Sequence, residues 1–117
     1  MSERTPQIFL QDILDSGESI QSYLQGITFE QFERERMRHS AVIREFEIIG
    51  EAVGKLPEHM KNRFPDVPWQ DIKDFRNLLT HEYFGVDLQI VWNTIQSELP
   101  QLLAAVRAML DGETLMI

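Results

Sequence analysis

Val42, Phe46, Ile49, Val53 and Leu56 recur at intervals of four, three, four and three residues. That spacing puts all five on one stripe of an α-helix, whereas a strand turns its faces every second residue. A helix with such a seam must bury it against other elements, and here those elements are helices too. Strand alternation is absent from the rest of the chain, and Gly and Pro divide it into helix-length pieces.

The boundaries of those pieces carry their own signals. Thr5 followed by Pro6 opens a first helix, since Pro suits the first helical position. Ile8, Phe9, Ile13, Ile20 and Leu24 form its apolar stripe, and Gly26 marks its end. Thr28 with Gln31 three residues on makes a capping box for a short segment carrying Phe29 and Phe32. The charged run Glu33-Arg34-Glu35-Arg36 reads as a solvated turn or helix face. The seam helix then runs from Ser40 to Leu56 and is stopped by Pro57. Residues 57–68 contain three prolines and read as a connector with one helical turn within 58–64. Pro68 starts a helix that carries Trp69, Ile72 and Phe75 into the core and is closed by Gly85. Asp87 is placed to cap the last helix, with Leu88, Val91, Trp92, Ile95 and Leu99 on its apolar face. Pro100 kinks that helix or begins a new segment, Leu102, Leu103, Val106 and Leu110 continue the pattern, and residues 112–117 read as a frayed tail. Short connections make consecutive helices antiparallel. The expected fold is all-α: an up-and-down bundle of four to five helices in a single domain over residues 1–117, with no internal repeats. Gly50 and Gly54 lie four apart beside the seam and let another backbone approach closely. A dimer contact and tight packing within one chain both remain open there.

Composition narrows the function. The 117 residues carry a formal charge of −8, so the chain cannot coat nucleic acid electrostatically. Any contact with RNA must be local, or the acidic surface serves a basic protein partner, or the charge only maintains solubility. There is no cysteine, hence no disulfide and no thiolate metal site, which fits a reducing cytoplasm. No long apolar run suggests a membrane span, and Met1-Ser2-Glu3-Arg4-Thr5-Pro6 lacks the apolar stretch of a secretory signal.

The chemistry concentrates in Arg76-Asn77-Leu78-Leu79-Thr80-His81-Glu82-Tyr83. With Arg76 at zero on a helical wheel, Thr80 falls at about 40°, Asn77 at about 100°, His81 at about 140° and Tyr83 at about −20°. Ile72, Phe75, Leu78 and Leu79 occupy the opposite, apolar arc. Arg offers a planar fork for phosphate oxygens, and His can move protons near neutral pH. Asn77 is one turn before His81 and could orient it or contact a phosphate. RNA is cut without metal when its own ribose hydroxyl attacks the adjacent phosphate, which needs a base, an acid and a cation. His81 is then the proton-transfer group and Arg76 the phosphate clamp, with Asn77 and Thr80 in support. Each chain brings one such His, so an acid and a base together suggest two copies meeting at a dimer axis. Tyr83 reads either as a half-buried packing residue or as an exposed hydroxyl. His39, His59 and His81 are too scattered for a metal-ligand pattern, so neither metal nor cofactor is expected. Glu47 and Glu51 could mimic a carboxylate pair, but ordinary surface ion pairs with the neighbouring Arg44 and Lys55 explain them better.

Arg76 and His81 with Tyr83 two residues further on resemble the Arg-x4-His-x-Tyr signature of the HEPN superfamily, specifically its HepT-like toxins. The likeness extends through Ala41-Val42-Ile43-Arg44, Glu47-Ile48-Ile49-Gly50-Glu51-Ala52, Pro65 to Trp69, Val86-Asp87, Val91-Trp92 and Leu99-Pro100, and so covers nearly the whole chain. Phe75 stands where relatives often carry methionine, a tolerable apolar exchange. The resemblance implies a helical bundle forming a two-fold homodimer, and a metal-independent endoribonuclease acting on tRNA or mRNA as the toxin of a toxin–antitoxin pair. It also implies a partner nucleotidyltransferase antitoxin of the MntA type that silences the toxin by transferring AMP to Tyr83. No DNA contact is implied except through the antitoxin complex. The alternative is a non-catalytic substrate-binding or partner subunit of a nucleotidyltransferase.

Overall fold

A computed structural model describes residues 5–81 and 85–115. These residues form six helices: α1 (Pro6–Leu24), α2 (Phe29–Arg34), α3 (Arg36–Lys55), α4 (Glu58–Lys61), α5 (Trp69–His81) and α6 (Leu88–Leu115). The long ones make the expected all-α bundle; α2 and α4 are short pieces in its connections.

Side-chain pairings give the helix directions. Tyr23, near the end of α1, bonds Glu45 in the first half of α3, while Phe9 near the start of α1 shares a groove with Lys55 at the end of α3. Gly54, Gly50 and Glu47 of α3 meet Lys73, Arg76 and Thr80 of α5 in turn. Gly17 and Glu18 of α1 meet Leu103 and Arg107 of α6, while Leu24 lies near Ile95. Each pairing runs antiparallel, so the long helices alternate up and down. The core comes from one face of each helix, with Leu10, Ile13, Ile20, Val42, Ile49, Val53, Leu79, Leu103 and Val106 all fully buried.

Local chemistry explains most ends. Gly26 after α1 has φ +76°, a left-handed conformation that glycine adopts without Cβ strain. Thr28 accepts from Gln31 N at 3.2 Å, and Gln31 Oε1 accepts from Thr28 N at 3.0 Å, which completes the capping box. Thr28→Ala is expected to cost about 1 kcal/mol in denaturant unfolding, the usual value of a lost cap. Trp69 buries part of its ring and donates its indole N–H towards the Lys61 and Phe64 carbonyls, tying α5 to the connector before it.

Several expectations are corrected. α3 begins at Arg36, four residues before Ser40, because the charged run divides between the end of α2 and the start of α3 around Glu35. Arg38 pairs with Glu35 at 2.6 Å across that first turn. Ile8 leaves the first apolar stripe for solvent, and Leu10 takes its place in the core. α6 runs through Pro100, which is exposed, so the carbonyl left without a helical partner can turn to water. Its helix also continues past Gly112 to Leu115, where a frayed tail was expected. Among the described residues, no helix is long and apolar enough to cross a membrane.

Candidate active site

α5 presents the Arg76–His81 motif, and α3 presents the surface it rests on. The stem of Arg76 lies directly on Gly50: a Cβ at Gly50 would stand 2.2 Å from Arg76 Cβ and 2.4 Å from its Cγ. No side chain fits there, so the glycine brings the two helices together at the arginine. Gly54 is looser, with Lys73 Cε 3.7 Å from where its Cβ would be. The glycine stripe is therefore covered from within the chain.

The head of Arg76 is held at both terminal nitrogens. Nη2 pairs with Glu51 Oε2 at 3.3 Å, and Nη1 donates to Asn77 Oδ1 at 3.0 Å. Nε is buried and has no partner among the described residues. Thr80 Oγ1 lies 3.2 Å from Glu47 Oε2 and 3.0 Å from the Arg76 carbonyl, and its single proton serves one of them at a time. Glu47 and Glu51 thus face α5 and its motif, not Arg44 and Lys55 as their spacing suggested. Helix spacing shows which residues share a face but not which helix that face meets.

Asn77 turns its carbonyl to Arg76, so the proposed orientation of His81 by that group is not what is found. His81 is exposed at the last residue of α5, and no hydrogen bond or ion pair joins it to Arg76 among the described residues. Tyr83, the expected modification site, lies outside the described residues. Leu78 is 45% exposed and does not belong to the buried arc, which comprises Ile72 and Leu79 with Phe75 partly buried. α5 meets α3 through the Arg76 stem on Gly50, and Leu78, on the other side of the helix, stays outside that contact. His39 is set apart from the motif, edge-on to Phe32 with ring centroids 6.0 Å apart. Burial, and then the Arg36 charge, lower its pKa below the usual histidine value. Among the described residues no group of three or more His, Cys, Asp or Glu could hold a metal ion.

The placement of Arg76 is costly as packing. A mid-helix glycine costs about 1 kcal/mol relative to alanine. A buried N–H without a partner costs about 1–3 kcal/mol. The half-exposed ion pair with Glu51 returns about 0–1 kcal/mol. Stability alone would not select this arrangement, and such sites are where function is expected to override local rules.

Comparison with known proteins bears on that function. The family described as "Ribonuclease HepT-like" matches residues 13–109. The chain belongs to the ribonuclease HepT-like family. This HepT-like chain is 40% identical over 110 residues to a protein named "Putative RNase TTE0752" from Caldanaerobacter subterraneus subsp. tengcongensis, covering 94% of the chain and 98% of that relative. It is 37% identical over 100 residues to "Probable ribonuclease HepT" from Thermococcus cleftensis, covering 86% of the chain and 91% of the relative. A third relative, "Putative RNase MJ0127" from Methanocaldococcus jannaschii, is 37% identical over 86% of the chain and 83% of its own length. No solved structure matches the HepT-like chain.

Proposed function

We propose that this chain is a ribonuclease that cleaves RNA by internal transesterification, with Arg76 and His81 as its working groups. The observation that carries this reading is Arg76 itself, held on Gly50 at a cost to stability with its terminal nitrogens in one plane between Glu51 and Asn77.

The reaction follows from those groups. The ribose 2′-hydroxyl gives up its proton to a base and attacks the adjacent phosphorus. The extra negative charge on the pentavalent phosphorane lies against the Arg76 guanidinium. An acid then gives a proton to the departing 5′-oxygen, leaving a 2′,3′-cyclic phosphate and a 5′-hydroxyl. His81 supplies one of the two proton transfers, and the His81 of a second copy in a two-fold homodimer supplies the other. Neither step requires a metal ion or cofactor. RNA binding is local, because the chain as a whole is acidic.

In this reading the protein is the toxin of a toxin–antitoxin pair, with tRNA or mRNA as substrate. Its antitoxin is a nucleotidyltransferase: the Tyr83 hydroxyl attacks the α-phosphorus of ATP and pyrophosphate leaves. The added phosphate and base, seven residues from Arg76, exclude RNA by charge and volume. Tyr83→Phe is expected to keep the fold and, co-produced with the antitoxin, to gain no mass, whereas the wild-type chain gains one AMP. AMP on the Phe variant would reassign the acceptor.

The test of the activity is incubation of the purified, unmodified protein with tRNA and mRNA in EDTA, followed by analysis of the new ends. Cleavage with cyclic-phosphate ends is expected. Tight binding to the nucleotidyltransferase with no cleavage would favour the non-catalytic subunit.

A further inference from the structure

Gly50 and Gly54, one turn apart on α3, each seat a cationic stem of α5. Arg76 lies on Gly50, and Lys73 Cε stands 3.7 Å from where a Cβ of Gly54 would be. Four residues of α3 separate the two seats by about 6 Å. Around α5, Lys73 lies about 60° from Arg76, on the side that leads to Asn77 at about 100° and His81 at about 140°. Lys73 therefore shares the motif's face, although it lies outside the stretch from Arg76 to Tyr83.

The two levels differ in the next residue of α3. After Gly50 comes Glu51, whose Oε2 pairs with Arg76 Nη2 at 3.3 Å. After Gly54 comes Lys55. The step that supplies Arg76 with a carboxylate supplies Lys73 with a second ammonium. Both lysines are exposed, and neither has a hydrogen bond or ion pair among the described residues. The carboxylates of these stretches are engaged elsewhere: Glu47 with Thr80, Asp74 with Gln70 and Glu58 with Lys61. A chain with 19 acidic and 11 basic residues thus leaves two lysines at one level without a counter-charge. Like charges placed there repel, and an anion between them turns that repulsion into attraction.

We propose that Lys73 and Lys55 form a second phosphate subsite, which binds the RNA phosphate next to the one that Arg76 faces. The proposal deepens the ribonuclease reading above and rests on it for the identity of the ligand. An RNA strand is a row of anions, and the Gly50 and Gly54 levels set cations in a row beneath it. Lysine suits the outer place as a point charge, while the planar fork of Arg76 stands where charge builds up in the reaction. This is the local contact by which an acidic chain can hold RNA. The subsite binds and sets register but moves no proton, so it acts on KM and not on kcat.

The test uses a fluorescent 2′-O-methyl oligouridylate, which has no hydroxyl to attack its own phosphate and reports binding alone. For a single strand, affinity falls with salt to the power of about 0.7 per phosphate contact, so one contact is worth about fivefold at 0.1 M relative to 1 M salt. Lys73→Gln and Lys55→Gln are each expected to weaken binding about fivefold at 0.1 M salt and to flatten the slope against log salt by about 0.7. Lys73→Arg should bind as the wild type does. Arg107→Gln removes the same charge from α6, where Arg107 pairs with Glu18, and should change neither quantity. Circular dichroism on the same samples checks that each variant is folded. No binding by the wild type, unchanged binding by either lysine variant, or an equal loss in Arg107→Gln would each overturn the proposal. Cleavage of tRNA or mRNA separates the two ideas, with a raised KM and an unchanged kcat expected for Lys73→Gln. Cleavage by the wild type with an unchanged KM in Lys73→Gln removes the subsite and leaves the ribonuclease. The expected losses of binding, without any cleavage by the wild type, remove the ribonuclease and leave the subsite.

Discussion

Gly50→Ala is expected to destabilise the protein by about 2 kcal/mol, and Gly54→Ala, one turn away on the same helix, to stabilise it by about 0.5–1 kcal/mol. Alanine improves helix propensity by a similar amount at both sites. The difference lies in what the new methyl meets. At Gly54 it reaches Lys73 Cε at 3.7 Å, an ordinary contact. At Gly50 it would stand 2.2 Å from Arg76 Cβ, an atom fixed to the α5 backbone that cannot swing aside. The helices must separate, and overpacking of this kind costs about 1–3 kcal/mol, occasionally more. For a domain of this size the melting temperature of Gly50→Ala should fall by about 10 °C and that of Gly54→Ala should rise by a few degrees. Because the separation moves Arg76, RNA cleavage by Gly50→Ala should drop by tenfold or more below the temperature at which it unfolds. Equal effects at the two glycines would contradict the packing described for the site.

Removal of the working groups has the largest expected effect on activity. Arg76→Ala takes away the cation proposed to face the phosphorane, and its cleavage rate should fall by about 10²–10³, as for other lost transition-state donors. His81→Ala removes the proposed proton-transfer group, with an expected loss of about 10²–10⁴. Both variants should keep their helical content, since His81 is exposed and the Arg76 ion pair contributes about 0–1 kcal/mol. Arg76→Ala can even gain stability by removing a buried, unpartnered N–H. Arg76→Lys should not restore the rate, because one ammonium cannot hold Glu51, Asn77 and a phosphate in a common plane. Single-turnover cleavage of a defined RNA, with circular dichroism on the same samples, measures both effects.

Most of the helices could be read from the residues themselves. Proline at the start of α1, the Thr28–Gln31 box and the four-three seam of α3 act within a few residues, so sequence spacing reports them directly. The register between helices could not be read in this way. Glu47 and Glu51 looked like partners for Arg44 and Lys55, because neighbours on one helix are all that spacing reveals. Only the fold brings α5 across them. Leu78 escapes the wheel for the same reason: the wheel gives the order of residues around α5, but not which of them the neighbouring helices cover. The motif was visible as Arg76, Asn77, Thr80 and His81, whereas the glycine and the carboxylate that hold Arg76 were visible only as a stripe of small residues and a surface charge.

Arg76 and His81 are proposed to act from both copies of a dimer, with one His81 as base and the other as acid. The most direct test is to dissociate wild type and His81→Ala, combine them with His81→Ala in large excess, and measure RNA cleavage once the dimers have re-formed. Nearly every wild-type chain then sits in a mixed dimer that keeps both Arg76 residues but one His81. Cleavage per wild-type chain should fall by about 10²–10⁴. Mixed dimers that keep half or more of the wild-type rate would contradict the shared site.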